Sequence, residues 1–359
     1  MIGPELKTVH RLFYADARER INEKSEGSIE LVVTSPPYPM IAMWDDAFAL
    51  MNQQIGKLLS DGKGDEAFNL MHHELDKVWG QIYDKLVPGG IACINIGDAT
   101  RKIDGSFKIY PNHSRILLSC TRLGFHALPE ILWRKQSNKP NKFMGSGMLP
   151  VGAYVTQEHE YILILRKGKK REFHTESDRK ARSRSAFFWE ERNAWFSDIW
   201  EDLKGERQTL KYPGLREKSA SYPFELAYRL MSMFSVQGDT VMDPFLGMAT
   251  TIMAAMATGR NSLGFEISPV FKRPIEARLR HIVDFANDYN RNRLSKHLEF
   301  EKGAKGRLQY ENSIHGLRVM TQQESSLQMP MLKSVRKIGE DTFEADYVND
   351  PMKVGQFLF

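Results

Sequence analysis

The stretch TSPPY at residues 34–38 places a hydroxyl, two prolines and an aromatic ring directly after the apolar run 31–33. Proline fixes φ at about −65° and has no N–H, so Pro36 and Pro37 cannot continue a sheet ladder and hold the carbonyls before them in an extended geometry. A strand that ends in this way presents fixed hydrogen-bond acceptors and the ring of Tyr38 at its carboxyl end. The same stretch could also be only a rigid turn after a strand.

A second stretch, TVMDPFLGMATT at residues 240–251, has the pattern of a ligand-binding turn between a strand and a helix. A hydrophobic strand ends in Asp243, and Gly247 follows before the helix. A turn of small residues lets a ligand approach the backbone, and a helix N-terminus offers free N–H groups to a carboxylate or a phosphate. The next strand ends in Glu266, which could accept hydrogen bonds from a ribose diol. The series predicts a nucleotide-type site.

Segments with strand and helix patterns alternate along most of the chain, which predicts an α/β fold with a mostly parallel central sheet. The predicted strands are 9–16, 29–33, 91–97, 126–135, 159–167, 240–243 and 262–266. The predicted helices are 47–86, 112–124, 222–235, 249–259 and 270–293. A polar loop is expected between the strands 126–135 and 159–167, and weak alternation in 331–348 indicates a small hairpin.

Residues 168–220 interrupt this alternation, because they are basic, aromatic and poorly periodic, and we therefore expect an inserted element. Cations are dense in 166–184, and the aromatic run FFW follows at 187–189. Basic residues beside aromatic ones suit contact with nucleic acid, but a solvated surface loop would have the same composition.

The composition bounds the class of protein. A chain of 359 residues is long enough for one large domain or two. Lys and Arg number 50 against 45 Asp and Glu, a net charge of +5 that permits a polyanionic partner. Cys93 and Cys120 lie in apolar segments without metal-ligand spacing, so we expect packing roles, no disulfide and no metal site. No apolar run approaches the roughly 18 residues that span a bilayer, and the first residues do not resemble a signal peptide, so we expect a soluble, cytoplasmic protein without membrane contact.

Together, TSPPY and DPFLGMATT resemble the motifs of amino-group DNA methyltransferases, which modify cytosine N4 or adenine N6, in the permuted class whose catalytic motif precedes the cofactor motif. The resemblance covers roughly residues 8–290 and includes PGGIACINIGD at 88–98, LWRK at 132–135, EHEYIL at 158–163, DIWE at 198–201 and PFELAYRLM at 223–231. It implies a Rossmann-like fold that uses S-adenosylmethionine, with an inserted target-recognition region. The implied units are a catalytic half 1–167, the insert 168–220, a cofactor-binding half 221–295 and a C-terminal extension 296–359.

The resemblance also implies the site residues. The catalytic motif is Ser35, Pro36, Pro37 and Tyr38. The cofactor residues are Asp16, Pro223, Phe224, Asp243, Pro244, Phe245, Gly247, Thr250 and Glu266, with Asp16 facing the adenine, Glu266 on the ribose and 223–226 near the methionine moiety. Within the insert, Lys169, Lys170 and Arg171 are expected on DNA phosphates, and Arg182 and Arg184 on base edges.

One position departs from the family pattern. The cofactor loop of these enzymes usually runs FxGxG, and here Ala249 stands in place of the second glycine. Alanine has a Cβ and resists positive φ. We expect a right-handed helical conformation at Ala249, in which the substitution is harmless. If the backbone there must instead be left-handed or approach the ligand closely, the affinity for the cofactor is reduced.

Serine at the first position of the catalytic motif usually accompanies cytosine N4 as the target, whereas aspartate or asparagine accompanies adenine N6. Cytosine is therefore expected, with adenine as the alternative, and the absence of a Pro-Cys pair argues against carbon-5 methylation. The expected partner is double-stranded DNA, in a restriction-modification system with a cognate endonuclease. A DNA-binding regulator without catalysis, or an enzyme acting on RNA or protein, are further alternatives. The recognition sequence and the oligomeric state leave no pattern in the chain.

Overall fold

In the computed structural model, the described residues are 6–24, 29–135, 144–145, 148–205, 222–304, 306–349 and 352–353. Their main feature is a ten-stranded sheet with the order β10-β6-β9-β3-β2-β11-β12-β1-β16-β15. Its strands are β1 (Lys7–Phe13), β2 (Ile29–Thr34), β3 (Leu86–Ile96), β6 (Phe125–Arg134), β9 (His159–Lys167), β10 (Ile199–Trp200), β11 (Thr240–Asp243), β12 (Asn261–Phe265), β15 (Leu332–Gly339) and β16 (Thr342–Tyr347). Three two-stranded hairpins accompany it: β4 (Ala99–Ile103) with β5 (Ser106–Tyr110), β7 (Met144–Gly145) with β8 (Ala153–Tyr154), and β13 (Tyr310–Asn312) with β14 (Leu317–Val319).

Helices cover both faces of the sheet. They are α1 (Ala17–Lys24), α2 (Asp45–Met51), α3 (Gln53–Ser60), α4 (Gly64–Lys85), α5 (Asn112–Arg122), α6 (Glu176–Arg184), α7 (Trp189–Trp195), α8 (Phe224–Phe234), α9 (Thr250–Thr258), α10 (Lys272–Leu279) and α11 (Ile282–Gly303). Strand residues alternate between the two faces, so Leu31 and Val33 pack with α8, α9 and α11, whereas Val32 packs with α1, α4 and α5. This layered arrangement is the expected α/β fold.

Most neighbouring strands are parallel, and this aligns the site. β2 pairs in parallel with β3 and β11, and β12 pairs in parallel with β11 and β1. β9 is the exception on one side, because it runs antiparallel to both β3 and β6. The carboxyl ends of β1, β2, β3, β6, β11 and β12 therefore lie at one edge of the sheet, called here the carboxyl edge. The opposite edge, where these strands begin, is called the amino edge.

Two predicted helices are broken in the structure. The segment 47–86 forms three helices, because Asn52 is extended (φ −156°) and caps α3 by accepting a hydrogen bond from the Gln54 N–H, while Gly62 has a φ of +74°. Those interruptions are local, and apolar spacing alone does not reveal them. The predicted helix 270–293 likewise divides into α10 and α11.

The C-terminal residues belong to the main sheet. The predicted hairpin in 331–348 is confirmed as β15 and β16, and β16 pairs antiparallel with β1, with Thr8 opposite Ala345. α11 continues to Gly303, so the expected boundary between residues 295 and 296 falls inside a helix. Both cysteines are buried and free, in agreement with packing roles.

Candidate active site

The carboxyl edge brings the two sequence motifs together. Ser35 follows β2, Asp243 ends the neighbouring β11, and Val32 pairs with Met242 just before these two strand ends. A cavity opens at this edge, and its lining includes Ser35, Pro37, Asp243, Gly247, Thr250 and Glu266. Thr34, which ends β2, and Asp243 are 209 positions apart in the chain and are hydrogen-bonded at this site.

Asp243 is held by donors on both carboxylate oxygens. Oδ1 accepts from the Thr34 hydroxyl at 2.6 Å and from the Phe245 N–H at 3.0 Å. Oδ2 accepts from the Thr251 hydroxyl at 2.6 Å and from the Tyr222 hydroxyl at 3.3 Å. Burial raises the pKa of Asp243, and these hydrogen bonds oppose that rise. The side chain therefore fixes the cofactor loop against the catalytic motif, in addition to lining the cavity.

The cofactor loop uses two residues with positive φ. Gly247 has a φ of +52°, and no atom lies within 4 Å of the position a Cβ would occupy, so its backbone borders open space. Ala249 has φ +61° and ψ +31°, the left-handed conformation, directly before α9. The expected right-handed conformation at Ala249 is therefore wrong. The chain needs a left-handed residue to turn from the loop into the helix, and alanine accepts that conformation at a steric cost of roughly 1–2 kcal/mol.

Glu266 borders the same loop at the end of β12. Its Oε2 accepts from the Gly247 N–H and its Oε1 from the Ser268 N–H, each at 2.9 Å. Burial raises the pKa of this carboxyl to about 7, and the two backbone donors moderate the rise. Each oxygen keeps a lone pair for a further donor, such as a hydroxyl of a diol.

Asp16 lines the cavity but already has a partner. The Arg18 guanidinium donates to both of its oxygens, with Nε at 3.1 and 3.0 Å from Oδ1 and Oδ2, and it also contacts Glu74. Arg18 and Glu74 line the cavity too, together with Trp44 and Met51. Sequence reasoning missed these four residues, because their roles come from contacts between α1, α4 and the segment around α2.

The hydroxyl of Tyr38 belongs to a polar network behind the catalytic motif. It donates to Glu160 Oε2 at 2.9 Å and accepts from Asn95 Nδ2 at 2.8 Å and from the Ser35 hydroxyl at 3.2 Å. Lys135 Nζ lies 2.8 Å from the other oxygen of Glu160. Burial raises the pKa of Tyr38 well above its usual value, and the charge of Glu160 adds to the effect.

The other predicted residues divide into two groups. Asp16, Pro244 and Phe245 line the cavity with those already named, whereas Pro36, Tyr38, Pro223 and Phe224 do not. Phe224 is buried against Phe285 and Tyr289, and its neighbour Tyr222 faces the cavity in its place. Pro223 precedes α8 as its N-cap.

The expected DNA contacts of the insert lie away from this site. β9 begins near the carboxyl edge and ends at the amino edge, where Arg166 pairs with Ile91. The backbone of Arg171 packs against Gly89, its guanidinium forms a 2.7 Å ion pair with Asp239 just before β11, and exposed Lys169 and Lys170 precede it. These three cations therefore lie at the amino edge, at the opposite end of the strands from the catalytic motif.

Arg182 and the FFW run also contact other protein groups, and Arg184 does so through its backbone. The Arg182 guanidinium lies over the Phe173 ring, and the Arg184 carbonyl accepts from the Gln328 N–H. Phe188 is fully buried and stacks on His297 at 3.8 Å. Phe188 thus packs α7 against α11, whereas 38% of Trp189 is exposed. Residues 168–175 form an irregular, largely exposed segment and α6 has no buried residue, so the basic stretch 168–184 is solvated. Residues 206–220 of the insert lie outside the described residues.

Neither a metal site nor a membrane-spanning helix is found in the described part of the chain. It contains no group of three His, Cys, Asp or Glu side chains that could hold a metal ion. Across the same residues, no helix combines the length and the apolar character needed to cross a membrane.

A largely parallel sheet, a glycine turn before a helix and an acidic residue after the next strand define a Rossmann-like methyltransferase site. The chain belongs to the N6/N4 methyltransferase family: the family model described as DNA methylase matches residues 29–277. It is 49% identical over 343 residues to the Type II methyltransferase M.MthZI of Methanothermobacter thermautotrophicus, covering 95% of this chain and 96% of that protein. It is also 49% identical over 290 residues to M.MjaI of Methanocaldococcus jannaschii, with coverages of 78% and 94%.

Solved structures agree with this assignment. A DNA modification methylase from Thermus thermophilus in complex with S-adenosyl-L-methionine superposes with a TM-score of 0.60 at 34% identity, covering 76% of this chain and 94% of that one. The PvuII DNA methyltransferase, described as cytosine-N4-specific, shares the fold with a TM-score of 0.51 at 18% identity, with coverages of 80% and 95%. The protein is thus a DNA methyltransferase whose cofactor is S-adenosylmethionine.

The cavity fits this cofactor chemically. The Glu266 carboxylate could accept hydrogen bonds from ribose hydroxyls, and a free lone pair of the Asp16 carboxylate could accept one from an amino group. Phe245 supplies an apolar wall, and Thr250 opens α9, whose N-terminus favours a carboxylate. The open space beside Gly247 leaves room at the backbone.

Proposed function

We propose that this DNA methyltransferase acts on double-stranded DNA at a specific site and modifies the exocyclic N4 amino group of cytosine. The single observation that carries the proposal is that Ser35, the first residue of the catalytic motif, lines the same cavity as Glu266. S-adenosylmethionine, when bound, supplies an electrophilic methyl group, and the chain must supply the orientation of the amino group.

Ser35 and Pro36 are proposed to provide that orientation. The lone pair of an exocyclic amino group is delocalised into the base, which makes the nitrogen a poor nucleophile. The Ser35 hydroxyl oxygen and the Pro36 carbonyl, as two acceptors, would draw the amino group toward a tetrahedral geometry and localise the lone pair. Pro36 and Pro37 hold these acceptors in place, which is the preorganisation that electrostatic catalysis needs. The base must first leave the duplex, because its amino group is unreachable in the stack.

Adenine N6 is the second candidate. A hydroxyl is a weaker acceptor than the carboxylate found at this position in many adenine enzymes, and this favours cytosine. The cavity itself has no feature among the described residues that would reject a purine. Sequencing that distinguishes the modified base and atom, applied to DNA methylated by the purified protein, decides between the two targets and gives the site as well.

A non-catalytic DNA-binding role is opposed by the intact machinery. Ser35, Tyr38, Asp243 and Glu266 are all present, and a regulator would have no use for the network that holds them. Transfer of tritium from labelled S-adenosylmethionine to DNA tests this directly, and no transfer to any DNA would overturn the proposal.

Two hairpins are proposed to form the DNA-facing surface, in place of the residues at the amino edge. β4 and β5 follow β3 at the carboxyl edge, and the Phe107 ring lies 4.7 Å from Tyr154 of the β7–β8 hairpin. The loop between the strands predicted at 126–135 and 159–167 is expected to be polar. Its described part exposes apolar side chains, with 82% of Met148 and 99% of Val151 exposed. Exposed apolar side chains beside a flipped-base site could pack against bases.

The place of the enzyme in a restriction-modification system is supported by its relatives, which are named Type II methyltransferases. We propose that a cognate endonuclease cuts the same site when it is unmethylated. In vitro methylation of plasmid DNA, followed by digestion with the endonuclease of the matching site, tests this proposal.

A further inference from the structure

Glu160 lies behind the catalytic motif, within the stretch EHEYIL at residues 158–163. It is on β9, its carboxylate is largely buried, and its two oxygens have different partners. Oε1 accepts from Lys135 Nζ at 2.8 Å, while Oε2 accepts from Asn95 Nδ2 at 2.7 Å and from the Tyr38 hydroxyl at 2.9 Å. A carboxylate paired with a lysine accepts hydrogen bonds and donates none.

This polarity determines where each proton of the network points. Because Glu160 can only accept, the Tyr38 hydroxyl must donate its one proton to Glu160, and the amide nitrogen of Asn95 must face them both. The Tyr38 oxygen is then left as an acceptor. It accepts from Asn95 at 2.8 Å and from the Ser35 hydroxyl at 3.2 Å. The proton of Ser35 therefore points away from the cavity.

We infer that Glu160 is a positioning residue that makes the Ser35 oxygen an obligate acceptor toward the target amino group. The inference rests on the proposed function of Ser35 and extends it, since a serine hydroxyl could otherwise donate or accept. A hydroxyl that pointed its proton into the cavity would repel an amino hydrogen. The hydrogen bonds run from the Ser35 hydroxyl to the Tyr38 hydroxyl and from there to Glu160. This direction excludes the orientation in which the Ser35 proton points into the cavity, before the substrate binds.

The packing around Glu160 keeps this arrangement in place. A Cβ on Gly97 would come within 3.1 Å of the Tyr38 ring and 3.3 Å of the Glu160 side chain, so both side chains lie against the same backbone. Burial and the charge of Glu160 keep the pKa of Tyr38 well above its usual value, so the phenol stays protonated and able to donate. Lys135 Nζ also lies 5.4 Å from the centroid of the Trp133 ring.

The variant Glu160→Gln tests the inference. The amide of the glutamine can donate to the Tyr38 oxygen. The Tyr38 hydroxyl is then free to donate to Ser35, so the direction of both hydrogen bonds can reverse. We expect kcat to fall at least roughly tenfold, with the Kd values for S-adenosylmethionine and DNA changed by less than about twofold. The matched control is Glu158→Gln, which removes a carboxylate two residues away that pairs with Arg134 at the surface, and its kcat should equal that of the parent protein.

A double-mutant cycle separates this role from a merely structural one. If Glu160 acts through Ser35, Glu160→Gln should reduce kcat by less than about twofold in a Ser35→Ala background. Equal losses in both backgrounds, or an unchanged kcat in Glu160→Gln, would overturn the inference while leaving the role of Ser35 intact. A Ser35→Ala variant with full activity would overturn the proposed role of Ser35 as well.

Tyr38→Phe provides a second route should Glu160→Gln fold poorly in a thermal melt. It removes the hydroxyl through which Glu160 acts and keeps the ring. We expect a loss of kcat similar to that of Glu160→Gln, and an undiminished kcat in Tyr38→Phe would also overturn the inference.

Discussion

The Thr34 hydroxyl donates a 2.6 Å hydrogen bond to Asp243 Oδ1, and both side chains are fully buried. Thr34 is the last residue of β2, immediately before Ser35, and Asp243 is the last residue of β11, immediately before the cofactor loop. The bond therefore joins the residue that precedes the catalytic motif to the residue that begins the cofactor motif. The distance between bound S-adenosylmethionine and the target base therefore depends on this hydrogen bond.

Replacing Asp243 by alanine should weaken cofactor binding and stability together. The change leaves the buried Thr34 hydroxyl and the Phe245 N–H without their acceptor and leaves the Thr251 hydroxyl with its longer bond to the Val33 carbonyl. An unpaired buried group costs about 1–3 kcal/mol. We expect the affinity for S-adenosylmethionine, measured by calorimetry, to fall at least roughly tenfold. Thr34→Val removes only one donor and should show a smaller loss in the same direction. Unchanged affinity in Asp243→Ala would remove this residue from the cofactor site.

Replacing Ser35 by alanine should affect catalysis and spare the cofactor. The hydroxyl is assigned to the amino group of the base, so kcat should fall at least roughly tenfold while the Kd for S-adenosylmethionine stays within about twofold. Single-turnover methylation at saturating cofactor measures the chemical step. Tyr38→Ala should lower kcat in the same way, because it removes the ring and the partner of the Ser35 hydroxyl. Parent-like turnover in both variants would contradict the catalytic assignment.

Cofactor affinity should depend on pH through Glu266. Burial raises the pKa of the free carboxyl to about 7. Ribose hydroxyls would donate to the ionised form, so binding favours the deprotonated state and weakens as pH falls through about 7. The Kd at pH ~6 should be about tenfold higher than at pH ~8. Glu266→Gln should bind more weakly at the higher pH and lack this dependence, which also separates it from titration of the cofactor itself. The same pH dependence in both proteins would exclude Glu266 as its source.

Ala249→Gly should stabilise the protein and keep it active. Ala249 adopts φ +61°, where a Cβ costs roughly 1–2 kcal/mol, and part of that gain is lost to the greater freedom of glycine in the unfolded chain. A net gain of about 1 kcal/mol corresponds to a Tm increase on the order of 2 °C. The reverse change Gly259→Ala, at φ +74° after the same helix, should lower Tm. A lower Tm in Ala249→Gly would mean that the buried methyl group outweighs the backbone strain.

The motifs could be predicted from the sequence because each depends on neighbouring residues. Two prolines after a strand, and a glycine turn before a helix, are local patterns, and the parallel order of β2, β11 and β12 then places both at one edge. Tyr222, Arg18 and Glu160 were missed for the opposite reason. Each acts through a partner on another element, such as Asp243 for Tyr222 and Tyr38 for Glu160, and no spacing records those contacts.

The cations of the insert show a second limit of sequence patterns. The sequence shows that 168–184 is basic. The edge of the sheet at which this segment lies depends on the direction of the strand before it, β9. β9 runs antiparallel to β3, so the chain leaves it at the amino edge. A buried strand has the same apolar pattern whether it pairs parallel or antiparallel with its neighbours. The pattern therefore does not predict at which edge of the sheet the residues after the strand lie.

The salt dependence of DNA binding should distinguish the two edges of the sheet. Each phosphate contact that is lost lowers the slope of log K against log[salt] by about 0.9 for duplex DNA. Lys169 and Lys170 are exposed at the amino edge, so replacing both by alanine should leave the slope unchanged. Arg171 is kept, because its ion pair with Asp239 is structural. Lys102 is exposed on β4 at the carboxyl edge and forms no ion pair with any residue that the structure describes, so Lys102→Ala should lower the slope by about one contact.

Filter binding of a duplex at several salt concentrations measures these slopes for the parent protein and both variants. Thermal melts should show that each variant is folded, since all three lysines are exposed. Phosphate contacts act on any sequence, so Lys102→Ala should weaken cognate and unrelated duplexes by similar factors. A lower slope for the Lys169 and Lys170 variant with no change for Lys102→Ala would place the DNA at the amino edge. That result would be incompatible with a base entering the cavity beside Ser35, because the length of the strands separates that cavity from the amino edge.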